Sequence, residues 1–422
     1  PAAEVEPAAE VEPAAEVEPA AEVEPAAEVE PAAEVEPAAE VEPAAEVEQV
    51  DFEAGEGVEI NCSPEVDKDG DGYPDNLDVS GPIDWSNCNL HDLNLSNLEL
   101  SGANLSGSSL YEASLSNTNL SGADLSHAQI YKADLSNTNF TYANLSYANL
   151  CGASHTVGAF NFAGADLSYT DLDHALLPGV VLTDAIVKHT NFHDANLTGV
   201  DLSYKDLTGT ILTDANLTYA NLAGVDLSDT DLTGTILTGA DLTDVNLPAD
   251  IDLSGRDLTG TILRGQDLSV KDLTGTILTG ADLSNTNLDG IDLSGRDLTG
   301  TILRGQDLSD KDLTGTILTG ADLSNSILAG VDLSNAILIN TNLENATLEK
   351  AKLLDVNLDS ANLTNADLRY AILVDANLSN AVLTGADLSN AILTGTILTG
   401  ANLENAILTN TILNCIGHSI CT

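Results

Sequence analysis

Between Asp67 and Asp78 the chain sets five carboxylates into twelve residues: Asp67, Asp69, Asp71, Asp75 and Asp78, with Gly72 in sixth place. Carboxylates at positions 1, 3, 5, 9 and 12, a glycine for the sharp turn, and the backbone carbonyl of Tyr73 at position 7 form the oxygen set that Ca²⁺ requires. Without a cation these carboxylates repel one another and leave the loop without order. Asp78 stands where the longer, bidentate Glu is usual, which weakens the last ligand. Calcium is the expected cofactor, and millimolar calcium outside a cell suits one isolated loop better than the cytosol does.

Five cysteines follow a second pattern. Cys62 with Cys88, and Cys415 with Cys421, form pairs at either end of the chain's regular part and read as terminal disulfides of an oxidising compartment. Cys151 is left over. A zinc site would want closer spacing and adjacent histidines. His127, His155, His174, His189 and His193 crowd the least regular stretch, where His174, His193 and Asp194 come within reach of one another if the chain coils, but as surface histidines without a tight metal motif. No nucleophile elbow, phosphate loop or pair of catalytic acids is present, so no enzyme is expected.

These groups must be held by something, and composition narrows what. The 422 residues are 43% hydrophobic but only 4% aromatic, with one Trp, no Met and a net charge of −54. That is too apolar for a disordered chain and too poor in aromatics for an ordinary core, so a repeat architecture is implied. Such acidity argues against direct nucleic-acid binding or anionic lipid. No apolar run is long enough to enter a membrane. Residues 1–48 are eight copies of PAAEVE, a low-complexity tract that proline and repelling charge keep extended and disordered as a stalk. The chain opens inside that repeat with no initiator Met, as a fragment or processed product would. Residues 49–88 form a linker holding the acidic loop.

From Leu90 to Leu413 a leucine or its equivalent recurs every fifth residue, in 64 pentads of which 59 are centred on Leu. The phase slips within 151–161 and again at 248–251. A period of five fits neither a helix at 3.6 nor a strand at 2. Only a chain that turns a corner every pentad puts all these leucines on one side, and the Gly, Asn, Asp and Thr in each pentad suit such turns. Units such as Ala123-Asp124-Leu125-Ser126-His127 and Ala281-Asp282-Leu283-Ser284-Asn285 resemble the pentapeptide-repeat family. The resemblance implies an all-β fold: a right-handed, four-sided parallel β-helix of about sixteen coils over 89–413, one pentad per side, with the central Leu and the small residue two places before it inward. Residues 84–90 and 414–422 would cap it. The acidic loop in turn looks like the calcium loops of thrombospondin type 3 repeats and dockerins.

Stacking pentads at twenty-residue intervals predicts outward columns. Asp231, Asp252, Asp272, Asp292, Asp312 and Asp332 form one, and Thr198, Thr218, Thr238, Thr259, Thr279, Thr299 and Thr319 another. Tyr111, Tyr131 and Cys151 share a third, a candidate partner surface. Lys205, Arg256, Gln266, Lys271, Arg296, Gln306 and Lys311 break the pattern by occupying inward positions. Burying an unpaired charge costs several kcal/mol. The expectation is that their stems pack in the wall while their heads snorkel out to surface carboxylates.

Three functions fit this reading. A charged stalk, a calcium-clamped junction and a stiff repeat make an exported, cell-surface structural or adhesive protein with a protein or surface partner. The family resemblance also implies an acidic DNA mimic acting on a type II topoisomerase. A flat threonine column would instead face ice or a glycan. Oligomeric state is not encoded in any of these features.

Overall fold

The computed structural model describes residues 83–153 and 160–421. The chain divides into two units, Pro1–Val58 and Glu59–Thr422, and every described residue belongs to the second. The PAAEVE tract, Cys62 and the acidic loop 67–78 lie outside the described residues.

The pentad period comes from one turn used repeatedly. The N–H three residues after most central leucines donates back to the Leu carbonyl, as Ala103 does to Leu100 at 3.1 Å and Ala281 to Leu278 at 2.9 Å. The second of the two residues between them has positive φ, 58° at Asn117 and 69° at Gly280. Those are the marks of a type II turn, and they explain why Asn, Asp and Gly recur at that place. Where Asp or Asn precedes the Leu, its side chain commonly accepts the N–H two residues ahead, as Asp124 Oδ1 does from Ser126 at 3.0 Å. This side-chain bond stands in for a backbone one and pins the corner.

What remains of most pentads is short enough that it contributes a single bridge residue, although Asp206, Asp231, Asp252, Asp272 and Asp292 make none, and no helix occurs among the described residues. None therefore has a helix long and apolar enough to cross a membrane. The bridges are parallel and join residues 20 apart, as at Asp124 and Asn144. Four pentads thus return the chain to a place directly above its start. The pairing runs from Asp84–Asn104 to Ile397–Ile416. At the two phase slips Asn139 pairs with Asn161 and Asp241 with Ile262, so each insertion is absorbed and the stack resumes.

Inside each circuit the central Leu and the small residue before it are buried: Leu283 and Ala281 are both 0% exposed. Each such leucine contributes about 1.5–3 kcal/mol, and because a coil touches only its neighbours the total grows nearly as a sum over interfaces. At the first insertion the core is filled by aromatics, with Phe140 stacked on Phe162 at 5.0 Å and Phe160 edge-on to Phe162 at 5.9 Å. Trp85 occupies a central slot in the first described coil and is buried. The other end is more open. Leu403, Ala406, Leu408 and Leu413 are only partly covered, and the chain closes there through a Cys415–Cys421 disulfide.

Candidate functional site

The seven polar residues at inward positions are all satisfied, but by a different partner from the one expected. At this position a threonine hydroxyl ordinarily donates to the carbonyl of the central Leu one coil earlier, as Thr276 does to Leu253 at 2.7 Å and Thr341 to Leu318 at 2.7 Å. Arg296 Nη1 reaches the corresponding carbonyl of Leu273 at 2.7 Å and Lys311 Nζ that of Leu288 at 3.0 Å. Arg256 Nη2 meets Leu232 at 2.8 Å, with Nε on the Asp252 carbonyl at 2.7 Å. Gln266 Nε2 donates to Leu242 and Val245, each at 2.9 Å, and Gln306 to Leu283 and Thr286. Lys271 is held by Pro248 and Ala249 carbonyls at 2.5 and 2.9 Å, and Lys205 by Ala185 at 3.2 Å.

The expected snorkelling to carboxylates is therefore corrected. Among the described residues none of these five cations is within ion-pair distance of a carboxylate. The carbonyls of the coil beneath are nearer than the surface and are already aimed inward, so the long side chains act as extended threonines. The five cations stay half-buried while Gln266 and Gln306, which have no charge to hydrate, are buried. Burial lowers the Lys205 pKa.

Direct pairing with the acidic surface falls instead to residues that the sequence pattern did not single out, while Arg256, Arg296 and Lys311 still lower Asp252, Asp292 and Asp307 through space. Arg264 Nε pairs with Asp282 at 2.6 Å, and its duplicate Arg304 pairs with Asp322 at 2.6 Å. Lys352 meets Asp332 at 3.1 Å and Lys188 meets Asp206 at 2.6 Å. The available signal was that the stretch 254–284 recurs almost unchanged forty residues later as 294–324, repeating Arg264 as Arg304 just as it repeats Arg256 as Arg296. Along the acidic column Asp252, Asp272 and Asp292 are held below the usual carboxylate range by bonds from the hydroxyl and N–H two residues ahead, although Asp252 pushes Asp272 upward. In the threonine column Thr198 and Thr218 direct their hydroxyl protons to Asn196 and Asn216 at 2.6 Å each. Those protons do not face outward to a ligand.

The two residues that follow each central Leu form columns at the corners. His91, Tyr111 and Tyr131 stack at 4.8 and 5.6 Å, and a second stack runs His127, Tyr147, Tyr169, His189 at 5.0, 4.7 and 4.6 Å. Ring faces turned to one another within these stacks are closed to a sugar.

The first of these columns continues through Cys151, Asp173 and His193. The Cys151 thiol, 3.9 Å from Asp173 Oδ2, is pushed up to about 11 by burial and by Asp171 and Asp173. Nδ1 of His174 and Nδ1 of His193 both converge on Asp173 Oδ1, at 2.7 and 2.8 Å. Their Nε2 atoms face Asp194 at 3.4 Å and Asp214 at 3.5 Å. The bond from Asp173 raises the His193 pKa. His174 and Asp194 do come together as the coil arithmetic expects, while Asp173, which lies at their centre, was not anticipated. Of the cysteines, Cys88 is buried and disulfide-bonded, and Cys151 is a free thiol.

A turn-cornered chain with parallel bridges twenty residues apart defines a class of repeat protein built from five-residue units. The model of pentapeptide repeats matches residues 88–154, 161–247 and 257–414, and the chain belongs to that family. Among solved structures it is similar to the pentapeptide repeat protein Rfr23 from the cyanobacterium Cyanothece 51142, with 44% identity over 22% of this chain and 64% of that one and a TM-score of 0.21. The aligned part thus spans just under two thirds of Rfr23. HetL, involved in heterocyst differentiation regulation in the cyanobacterium Nostoc sp. strain PCC 7120, is 26% identical over 73% of this chain and 89% of its own, with a TM-score of 0.15. QnrB1, a plasmid-mediated fluoroquinolone resistance protein, is 22% identical over 40% and 88%, with a TM-score of 0.25. No curated protein sequence matches the chain.

Proposed function

We propose that this protein is a non-enzymatic structural or adhesive rod that works outside the cell: a right-handed, four-sided β-solenoid presenting a repetitive acidic surface to a protein or surface partner. The observation that carries the reading is the run of coil-to-coil pairing from Asp84 to Ile416, continued across both insertions. A stack of this kind is stiff because every coil is tied to the next by bridges and shared leucines. The described concavities are surface troughs, one lined by Val181, Asp184, Tyr204, Lys205 and Asp206, the other by Asp229, Asp231, Asp250 and Arg256.

Asp67, Asp69, Asp71, Tyr73, Asp75 and Asp78 would bind calcium and order the junction between the PAAEVE stalk and the solenoid, a reading supported by their spacing alone. The Cys415–Cys421 disulfide accords with an oxidising location. The decisive comparison exposes intact source cells to a membrane-impermeant amine label and follows this chain. Labelling supports the exported rod. Exclusion of the label, together with inhibition of DNA supercoiling by a type II topoisomerase at micromolar chain, would replace it with the acidic-mimic reading. Calcium titration of the Asp69→Ala/Asp71→Ala double variant tests the junction separately. The wild type should gain melting temperature with calcium and the variant should not.

A further inference from the structure

We propose that Asp173, His174 and His193 form a binding site for a zinc-type divalent transition metal, with Asp194 and Asp214 as the outer carboxylates that orient the two imidazoles. One ligand atom from each of the three residues lies within 4.8 Å of the others. The inference is independent of the calcium loop and of the proposed adhesive role.

The argument begins with counting protons. Each imidazole turns Nδ1 to the shared Asp173 Oδ1 and Nε2 to a second carboxylate. A neutral imidazole carries one N–H and one bare lone pair. Two neutral rings would supply two protons to four carboxylate-facing nitrogens, a conflict that two further protons or one metal cation would resolve. A cation placed between Asp173 and both Nδ1 atoms removes that conflict: the lone pairs and the carboxylate become ligands, and the Nε2–H groups donate to Asp194 and Asp214. A metal-bound histidine whose other ring nitrogen donates to a carboxylate is the usual outer-shell arrangement at such centres.

The fold supplies the positions. Asp173 and His193 occupy the same turn place in successive coils, so the parallel register brings them together. His174 and Asp194 take the next place along, where positive φ (55° and 50°) swings each side chain along its column. The three ligands thus come from two adjacent corners that the core holds rigidly. Two nitrogens and one oxygen select a first-row ion of the zinc class over calcium or magnesium, which prefer all-oxygen shells. The histidine side chains are 57% and 41% exposed, which gives the ion an entry path and leaves a fourth position open to water or to a partner's side chain.

The test titrates Zn²⁺ calorimetrically into the full chain with calcium present in excess to occupy the acidic loop. The expected result is one tight equivalent. It should weaken more than about a hundredfold in Asp173→Asn and in His193→Gln, and about 10–100-fold in the outer variants Asp194→Asn and Asp214→Asn. His127→Ala, at another corner, should bind as wild type does. Far-UV circular dichroism confirms that each variant retains its fold. If a variant does not fold, Co²⁺ loading of the unaltered chain decides: a four-coordinate visible spectrum supports the site, and a spectrum of hydrated Co²⁺ alone overturns it. Zinc uptake that is absent, or equal in wild type and the Asp173 and His193 variants, also overturns it.

Discussion

At the scale of single residues, the inward polar side chains show one acceptor serving several donors. The Leu carbonyl one coil back takes a hydroxyl from Thr276, a guanidinium from Arg296 and an ammonium from Lys311. Arg296→Thr should therefore be almost neutral, changing stability by less than about 1 kcal/mol, because the shorter donor reaches the same oxygen. Gln306→Glu should behave oppositely. It would set a carboxylate against the Leu283 and Thr286 carbonyls in a buried place and cost about 3–5 kcal/mol, measured by chemical denaturation. Acid sensitivity also originates here. Asp252, Asp272 and Asp292 lie below the ordinary value of 3.8 in the fold, and Asp206, paired with Lys188, is lowered to about 2. A group so lowered stabilises above its unfolded pKa and loses that contribution as pH falls through its folded one. The melting temperature should hold from about pH 7 to about pH 5 and drop between about pH 4 and about pH 2. Relief of charge repulsion acting alone would raise it over the same range.

At the scale of the coil, packing and turn geometry determine which changes are tolerated. Leu283→Ala should cost about 2–5 kcal/mol, and hydrogen exchange should show the loss confined to the coils touching residue 283, since each coil is covered only by its neighbours. The corner stacks follow the same logic. Gly209 has φ +68° and a Cβ built there would fall 2.1 Å from His189 Nδ1, so the histidine ring rests on the glycine. Gly209→Ala should destabilise measurably in a thermal melt. Gly102, with φ +69° and open space around it, should accept Asn with little change, as its many Asn counterparts do.

For the whole molecule, stability is distributed along the stack and should fail first where coverage is thinnest. Leu403, Leu408 and Leu413 are only partly covered at the C-terminal end, and the Cys415–Cys421 disulfide closes the chain there. Reduction should speed amide exchange in residues beyond 395 and around Cys88, which is also disulfide-bonded, and leave the central coils unchanged. A uniform acceleration along the chain would show instead that the stack opens as one unit. The proposed export and the acidic-mimic alternative both belong to this scale, because each draws on the repeated surface and not on any one pocket.

The pentad period, the inward leucine and small residue, the turn residues and the two phase slips were all legible in the chain, because each is a local rule repeated until no other period survives. Lateral neighbours were legible in part. Coil arithmetic places His174 near His193 and Tyr111 beside Tyr131, but it does not say where a side chain finds its nearest acceptor. Arg256 and Lys271 pointed toward surface carboxylates in the sequence, yet the fold gives them carbonyls of the coil below, while Arg264 and Arg304 take the carboxylates. The convergence of two imidazoles on Asp173 likewise depends on a register carried through a two-residue insertion. Sequence determined the repeat because backbone turns are set within five residues. Tertiary structure decided the partners, because hydrogen bonds form between residues twenty or more apart whose distances exist only once the coils are stacked.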